Sequence, residues 1–264
     1  MESAPAKTLQ ILAIDVGGQH VKVLVNSQSE PRRMVSGRSL NAAQMVEGVK
    51  AMTGDWTYDV VSLGYPGQVV HNMPAHEPVN LGKGWVGFDY QGALERPTKV
   101  INDAAMQALG SYEGGRMLFL GLGTGLGSAL IVDGQLEPME LGHLPYKKRL
   151  TYEDFVGQRG LKQLGKKRWR SEVAAIIETF RVALQPDYIV LGGGNAKLLK
   201  ELPPDARLGE NANAFIGGFR LWEGTEVPSR VAKKTSPGRR RKSDPSPADR
   251  SAGTATCPGP GSTG

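Results

Sequence analysis

The sequence predicts an α/β protein. Short apolar runs of strand length alternate with segments of helical spacing, and a strand–glycine turn–strand unit occurs twice, at 9–25 and at 117–132. The repetition suggests two similarly built halves. A length of 264 residues suits one large domain or two small ones, and a 39% hydrophobic content still supports a core.

Residues 9–14 form an apolar run ending at Asp15, followed by Gly17-Gly18 and the β-rich stretch 21–25, which reads as a hairpin. Segment 41–52 has helical spacing at Ala42, Met45, Val46 and Val49, with Asn41 placed to cap it. A buried-type strand at 59–63 runs into Gly64-Tyr65-Pro66-Gly67. A short strand at 99–101 precedes a helix over 103–109, and strands at 117–121 and 128–132 flank a glycine-rich turn. An amphipathic helix is expected at 170–184, a strand at 188–191, and a helix from 195 to 202 after Gly192-Gly193-Gly194.

Composition narrows the function classes. No apolar run approaches the roughly eighteen residues that span a bilayer, and residues 1–7 carry no secretory pattern. A single cysteine, Cys257, excludes an intramolecular disulfide framework and a Cys-rich zinc site. A soluble cytoplasmic protein is expected. The net charge of +6 falls in 228–264, where eight basic residues face two acidic ones, so residues 1–227 are neutral. That stretch is rich in Pro, Gly, Ser and Thr and is expected to be a disordered tail. Its run 239–242 can touch a polyanion nonspecifically, while a solvated extension is the simpler reading.

The chemistry-bearing residues cluster at the glycine turns. Asp15-Val16-Gly17-Gly18, with Lys22 beyond it, and Gly121-Leu122-Gly123-Thr124-Gly125-Leu126-Gly127 can each present backbone N–H groups to an anion, although such turns also occur in ordinary hairpins. The second resembles a dinucleotide fingerprint but leads into a strand instead of a helix, which argues against that use. Asp103 stands where a strand ends and a helix begins. It is placed either to cap the helix or to accept a proton from a hydroxyl attacking phosphorus. Glu140-Leu141-Gly142-His143 offers two groups that suit sugar hydroxyls or a metal, or form a surface pair.

In order and spacing, these pieces resemble the ROK-family sugar kinases of the actin–hexokinase–heat-shock ATPase superfamily. The matching stretches include the two glycine turns, Gly64-Tyr65-Pro66-Gly67, Asn102-Asp103-Ala104-Ala105, Glu140-Leu141-Gly142-His143 and Leu191-Gly192-Gly193-Gly194. Pro78-Val79-Asn80-Leu81-Gly82-Lys83-Gly84-Trp85 is similar to polyphosphate glucokinases in particular, and the likeness covers about 8–225.

The resemblance implies a two-lobed actin-like fold with ribonuclease H-like lobes, divided as 1–102 and 103–227. It also implies a hexose kinase that transfers a phosphoryl group from polyphosphate or ATP to the sugar 6-hydroxyl. Asp103 would be the general base. Asp15, Gly17, Gly18, Lys22, Gly123, Thr124 and Gly125 would hold the donor, with Mg²⁺ near Asp15, and Gly192, Gly193 and Gly194 would line an adenosine site. Asn80, Asn102, Asp103, Glu140 and His143 would bind the sugar. Glucose is favoured, with mannose or an N-acyl sugar as alternatives. Homodimers are common in such families, and neither a membrane nor a specific nucleic-acid partner is implied.

This chain departs from the family pattern at three places. Gln19 and His20 stand where a small hydroxyl residue is usual, and the Cys-rich zinc motif is missing, so no structural zinc is expected. Gly217, Gly218 and Gly224 make 215–227 too glycine-rich for a helix, so the helix that would fold back on the first lobe is expected to be truncated. A catalytically impaired sugar-binding or regulatory relative is the alternative. Two basic runs, Lys147-Lys148-Arg149 and Lys162 with Lys166, Lys167, Arg168 and Arg170, suit either a polyphosphate track or an ordinary solvated face.

Overall fold

A computed structural model of the chain describes residues 8–210 and 212–223. The expected tail at 228–264 lies outside the described residues.

The first half begins with β1 (Ile11–Val16), an apolar run interrupted only by Asp15 and buried along its whole length. In β2 (His20–Val25), Val21, Val23 and Val25 enter the core while the alternate residues take the other face. After the edge strand β3 (Arg32–Val35) comes α1 (Ala42–Met52), which starts where the sequence places it: Asn41 and Gln44 form a reciprocal capping box. Then follow β4 (Val60–Tyr65), the small hairpin β5 (Val69–Val70) and β6 (Met73–Pro74), α2 (Tyr90–Leu94) and β7 (Thr98–Asn102). The sheet order is β3-β2-β1-β4-β7, with β1, β4 and β7 parallel.

The second half opens with α3 (Asp103–Ser111) and continues through β8 (Arg116–Leu122), β9 (Leu126–Val132) and β10 (Gln135–Met139). Next come α4 (Tyr152–Val156), α5 (Gln158–Leu184), β11 (Tyr188–Gly192), β12 (Ala206–Leu208) and α6 (Asn213–Arg220). The order β10-β9-β8-β11-β12 repeats the plan of the first sheet: three antiparallel strands, then two added in parallel. The repeated strand–turn–strand unit thus heads two sheets of the same design.

Leu12, Ile14, Met45, Val49, Leu63 and Trp85 belong to the first core. In the second half α5 lays Trp169, Val173, Ile176, Ile177 and Phe180 against one face of the sheet. On another face, Ala104, Ala105 and Ala108 of α3 pack with Met117, Phe119, Ala129 and Ile131.

Three expectations are corrected. Helix α5 begins well before 170, although Gly165 breaks it with a φ of 71°. The helix expected at 195–202 is a single 3₁₀ turn, Ala196–Leu198. Pro203 disfavours a helical Leu202, and the Asn195 side chain donates to the Gly123 carbonyl, so too little chain remains to propagate a helix. Conversely, α6 forms despite its glycines, because those glycines let it pack. A Cβ on Gly217 would collide with the Met106 carbonyl, and one on Gly110 with the Asn213 carbonyl. A Cβ on Gly218 would lie 2.7 Å from the Ala13 Cβ, and the Gly218 carbonyl accepts from Ser62 Oγ at 2.5 Å. Helix α6 therefore lies against both α3 and the first sheet.

Candidate functional site

The carboxyl ends of β1, β4 and β7 carry the first group of residues, the place where parallel sheets present ligand sites. Asp15 is the register partner of Lys22 across the β1–β2 hairpin, so both side chains share a face. Lys22 Nζ lies 3.4 Å from Asp15 Oδ2. Burial raises the Asp15 carboxyl above its ordinary value, and the Lys22 charge pulls it back. The Gly17 N–H donates to the His20 carbonyl at 3.0 Å, closing the turn. Gly18 faces outward, and a Cβ there would stand 3.6 Å from the Asn80 Cβ, so the loop bearing Asn80 abuts the first glycine turn.

At the end of β7, Asn102 performs the capping that the sequence also allowed for Asp103. Its Oδ1 accepts from the Ala105 N–H at 3.0 Å while its Nδ2 donates to the Gly67 carbonyl at 3.0 Å. Asn102, read as a sugar ligand, is thus engaged in local structure through both ends of its amide. The Asp103 carboxylate accepts locally from the Ala104 N–H at 2.8 Å. Its carboxyl is pushed up to about 7, first by desolvation, then by the Asp15 charge, with a smaller push from Glu140. The same interactions locate the group: Asp15 from the first sheet and Glu140 from the segment after β10 both act on Asp103.

The second turn joins β8 to β9, with Gly121 opposite Gly127 and the Gly123 N–H donating to the Gly125 carbonyl at 3.1 Å. Gly127 approaches the helix that Asp103 begins: a Cβ there would lie 2.6 Å from the Ala104 Cβ. Thr124 is exposed, and no atom stands within 4 Å of a Cβ on Gly123 or on Gly194, leaving that ground open. Gly192 pairs with Gly121, and Gly193, with φ 82°, sits tight under the Leu122 carbonyl. Asn195 donates from its backbone to that carbonyl at 2.9 Å. The third glycine stretch therefore lies directly beside the second turn.

Glu140 and His143 lie 3.5 Å apart, His143 largely open to solvent and Glu140 about half-buried. Burial and the neighbouring Glu153 charge raise the Glu140 carboxyl, while His143 lowers it. Sequence reasoning missed Glu153. Its carboxylate accepts from the Leu126 N–H at 3.1 Å, in space that Gly125 leaves free. The available signal was Thr151 and Asp154, whose capping box puts Glu153 in the first turn of α4. The two basic runs meet at Glu172, which accepts from Lys147 Nζ at 2.8 Å and feels the Arg168 charge. A cavity of about 630 Å³ lies apart from Asp103, walled by Lys167, Arg170 and Lys200 with Val173, Ile177 and Leu199.

Among the described residues no group of three or more His, Cys, Asp or Glu gathers to hold a metal. Asp15, a hard-oxygen donor near the half-buried Asp103 carboxyl, fits Mg²⁺, which takes one or two carboxylates and completes its shell with water and substrate phosphates. No helix among the described residues is long and apolar enough to cross a membrane.

No protein-family model matches the sequence. The polyphosphate glucokinase of Mycobacterium tuberculosis is 25% identical over 206 residues, covering 70% of this chain and 72% of that protein. Among solved structures, the inorganic polyphosphate/ATP-glucomannokinase of Arthrobacter sp. strain KM has a TM-score of 0.69 at 24% identity, covering 80% of this chain and 96% of that one. A ROK-family glucokinase from Streptomyces griseus, solved with glucose and AMPPNP, has a TM-score of 0.64 at 16% identity, covering 80% of this chain and 98% of that one. The likeness first carried by the glycine turns and Asp103 thus extends to fold and to overall sequence: the chain has the actin-like α/β architecture of the ROK-family sugar kinases and resembles polyphosphate glucokinases.

Proposed function

We propose that the chain is a hexose kinase, using polyphosphate or ATP and acting on the 6-hydroxyl of glucose. One observation carries this reading: Asp103, with a carboxyl poised near neutrality, lies within the electrostatic reach of Asp15 beside the first glycine turn and of Glu140. A base of that strength is half ionised at neutral pH, where it best combines availability with proton affinity.

In this reading the two lobes divide between Asn102 and Asp103, and α6 returns to the first sheet. Glu140 and His143 take vicinal sugar hydroxyls, with Asn80 on the side of the first turn. Asp103 accepts the 6-hydroxyl proton as that oxygen bonds to phosphorus and the donor's bridging P–O bond breaks, the electron pair leaving with the shortened phosphate chain. Lys22 holds the transferring and leaving phosphates together with the turns at Gly18, Thr124 and Gly125, whose shape is set by the Gly17 and Gly123 N–H bonds. Asp15 would hold Mg²⁺, which when bound neutralises phosphoryl oxygens.

A polyphosphate track would follow the two basic runs, which approach each other at Glu172, where the Lys147 ion pair offsets part of their charge. A coupled assay of glucose, mannose and N-acetylmannosamine with each donor tests the reading. Sugar phosphate formed by the wild type and lost in Asp103→Asn is expected. Absence of transfer with every pair refutes it.

A further inference from the structure

The loop between β6 and α2 holds Asn80 beside Gly18, yet it has almost no regular structure of its own. Its base is anchored: Trp85 is fully buried, its Nε1 donates to the Leu40 carbonyl at 3.3 Å, and the Gly82 N–H donates to the same carbonyl at 2.9 Å. Its far side is closed by one exposed side chain. Glu77 Oε1 accepts from the Gly84 N–H and Oε2 from the Trp85 N–H, each at 3.1 Å. Gly84, with φ 94°, turns its amide so that two consecutive N–H groups converge on one carboxylate. Desolvation opposes ionisation of Glu77, but these donors, the neighbouring Val86 N–H and Lys83 outweigh it and hold the carboxyl below its ordinary value. Inside the ring so closed, the Asn80 carboxamide has no hydrogen-bond partner among the described residues.

We propose that Glu77 is a positioning residue: its carboxylate ties position 77 to Gly84 and Trp85 and fixes the loop that presents Asn80 to the sugar beside the first glycine turn. The proposal rests on the hexose-kinase reading for its ligand, though not for its mechanics. Because Glu77 is exposed at the surface, an isosteric replacement is expected to leave the fold intact. Glutamine keeps one acceptor and turns an NH₂ toward the second N–H, so it breaks the two-point clamp while preserving size.

The experiment combines two readouts on the full chain. Steady-state kinetics with glucose as the varied substrate compares wild type, Glu77→Gln, Asn80→Ala and the double variant. Glu77→Gln should raise KM for glucose about tenfold, the worth of one misplaced hydrogen bond. Donor KM and kcat should stay within about twofold, and the double variant should be no worse than Asn80→Ala alone. Amide hydrogen exchange, which needs no substrate, should show Gly84 and Trp85 losing protection in Glu77→Gln. An unchanged glucose KM, additive losses in the double variant or unaltered exchange at Gly84 and Trp85 each overturns the proposal. A wild type without kinase activity refutes the function instead, and the exchange result still decides whether the clamp exists.

Discussion

Replacing Asp103 with asparagine separates catalysis from stability, because the fold disfavours the charge that the reaction needs. The carboxyl titrates at about 7 in the folded chain against an ordinary 3.8. The folded value is the higher one, so the unfolded chain gives up its proton first, and native stability falls as pH rises from about 3.8 to about 7. At about 1.4 kcal/mol for each pH unit, the full cost is roughly 4 kcal/mol above neutrality. Asp103 keeps partial solvent access, and screening by that water brings the expected gain in Asp103→Asn to roughly 2–4 kcal/mol at about pH 8. The gain should shrink by about half near pH 5 and vanish below the unfolded value. Asparagine preserves the acceptor for the Ala104 N–H, so no local bond confounds the comparison. Urea unfolding at both pH values measures the difference, while transfer rates should fall about 10²–10⁴-fold. A gain equal at both pH values, or a loss of stability at the higher one, refutes the burial argument, and full activity removes Asp103 from the mechanism.

In wild type, kcat/KM should climb with pH through about 7 as Asp103 ionises; a flat profile across that range contradicts its role as base. Glu140→Ala and His143→Ala should fold normally, since neither side chain is in the core, and should weaken glucose binding measured by calorimetry. Unchanged affinity in both removes them from the sugar site. Gly217→Ala should destabilise by about 3 kcal/mol or more, because the new methyl meets the Met106 carbonyl, a backbone atom that cannot swing aside; an unchanged unfolding midpoint would show that α6 does not pack there. Raising salt should impair polyphosphate use more than ATP use, because exposed cations such as Lys166 and Lys167 are screened. Equal sensitivity of the two donors counts against the track.

The repeated strand–glycine–strand unit, the buried strand β1 and the capped helix α1 were legible in the sequence because hydrophobic period and turn chemistry are local properties. So were Asp15 and Asp103 as unusual carboxylates at strand ends. Local rules failed at α6, where glycines that weaken an isolated helix are what allow Gly110, Gly217 and Gly218 to bring it against α3 and β1. They failed again at 195–202, where a distant carbonyl at Gly123 engages Asn195. The capping duty of Asn102, the nearness of Glu153 to Glu140 and the Glu77 clamp were likewise invisible, since each depends on which backbone groups the folded chain brings near. Sequence alone determined the elements and the chemical types at their ends. Tertiary structure decided which of those types share a site and what their environment does to their charge, because burial and Coulomb interaction depend on distance in space and not on separation along the chain.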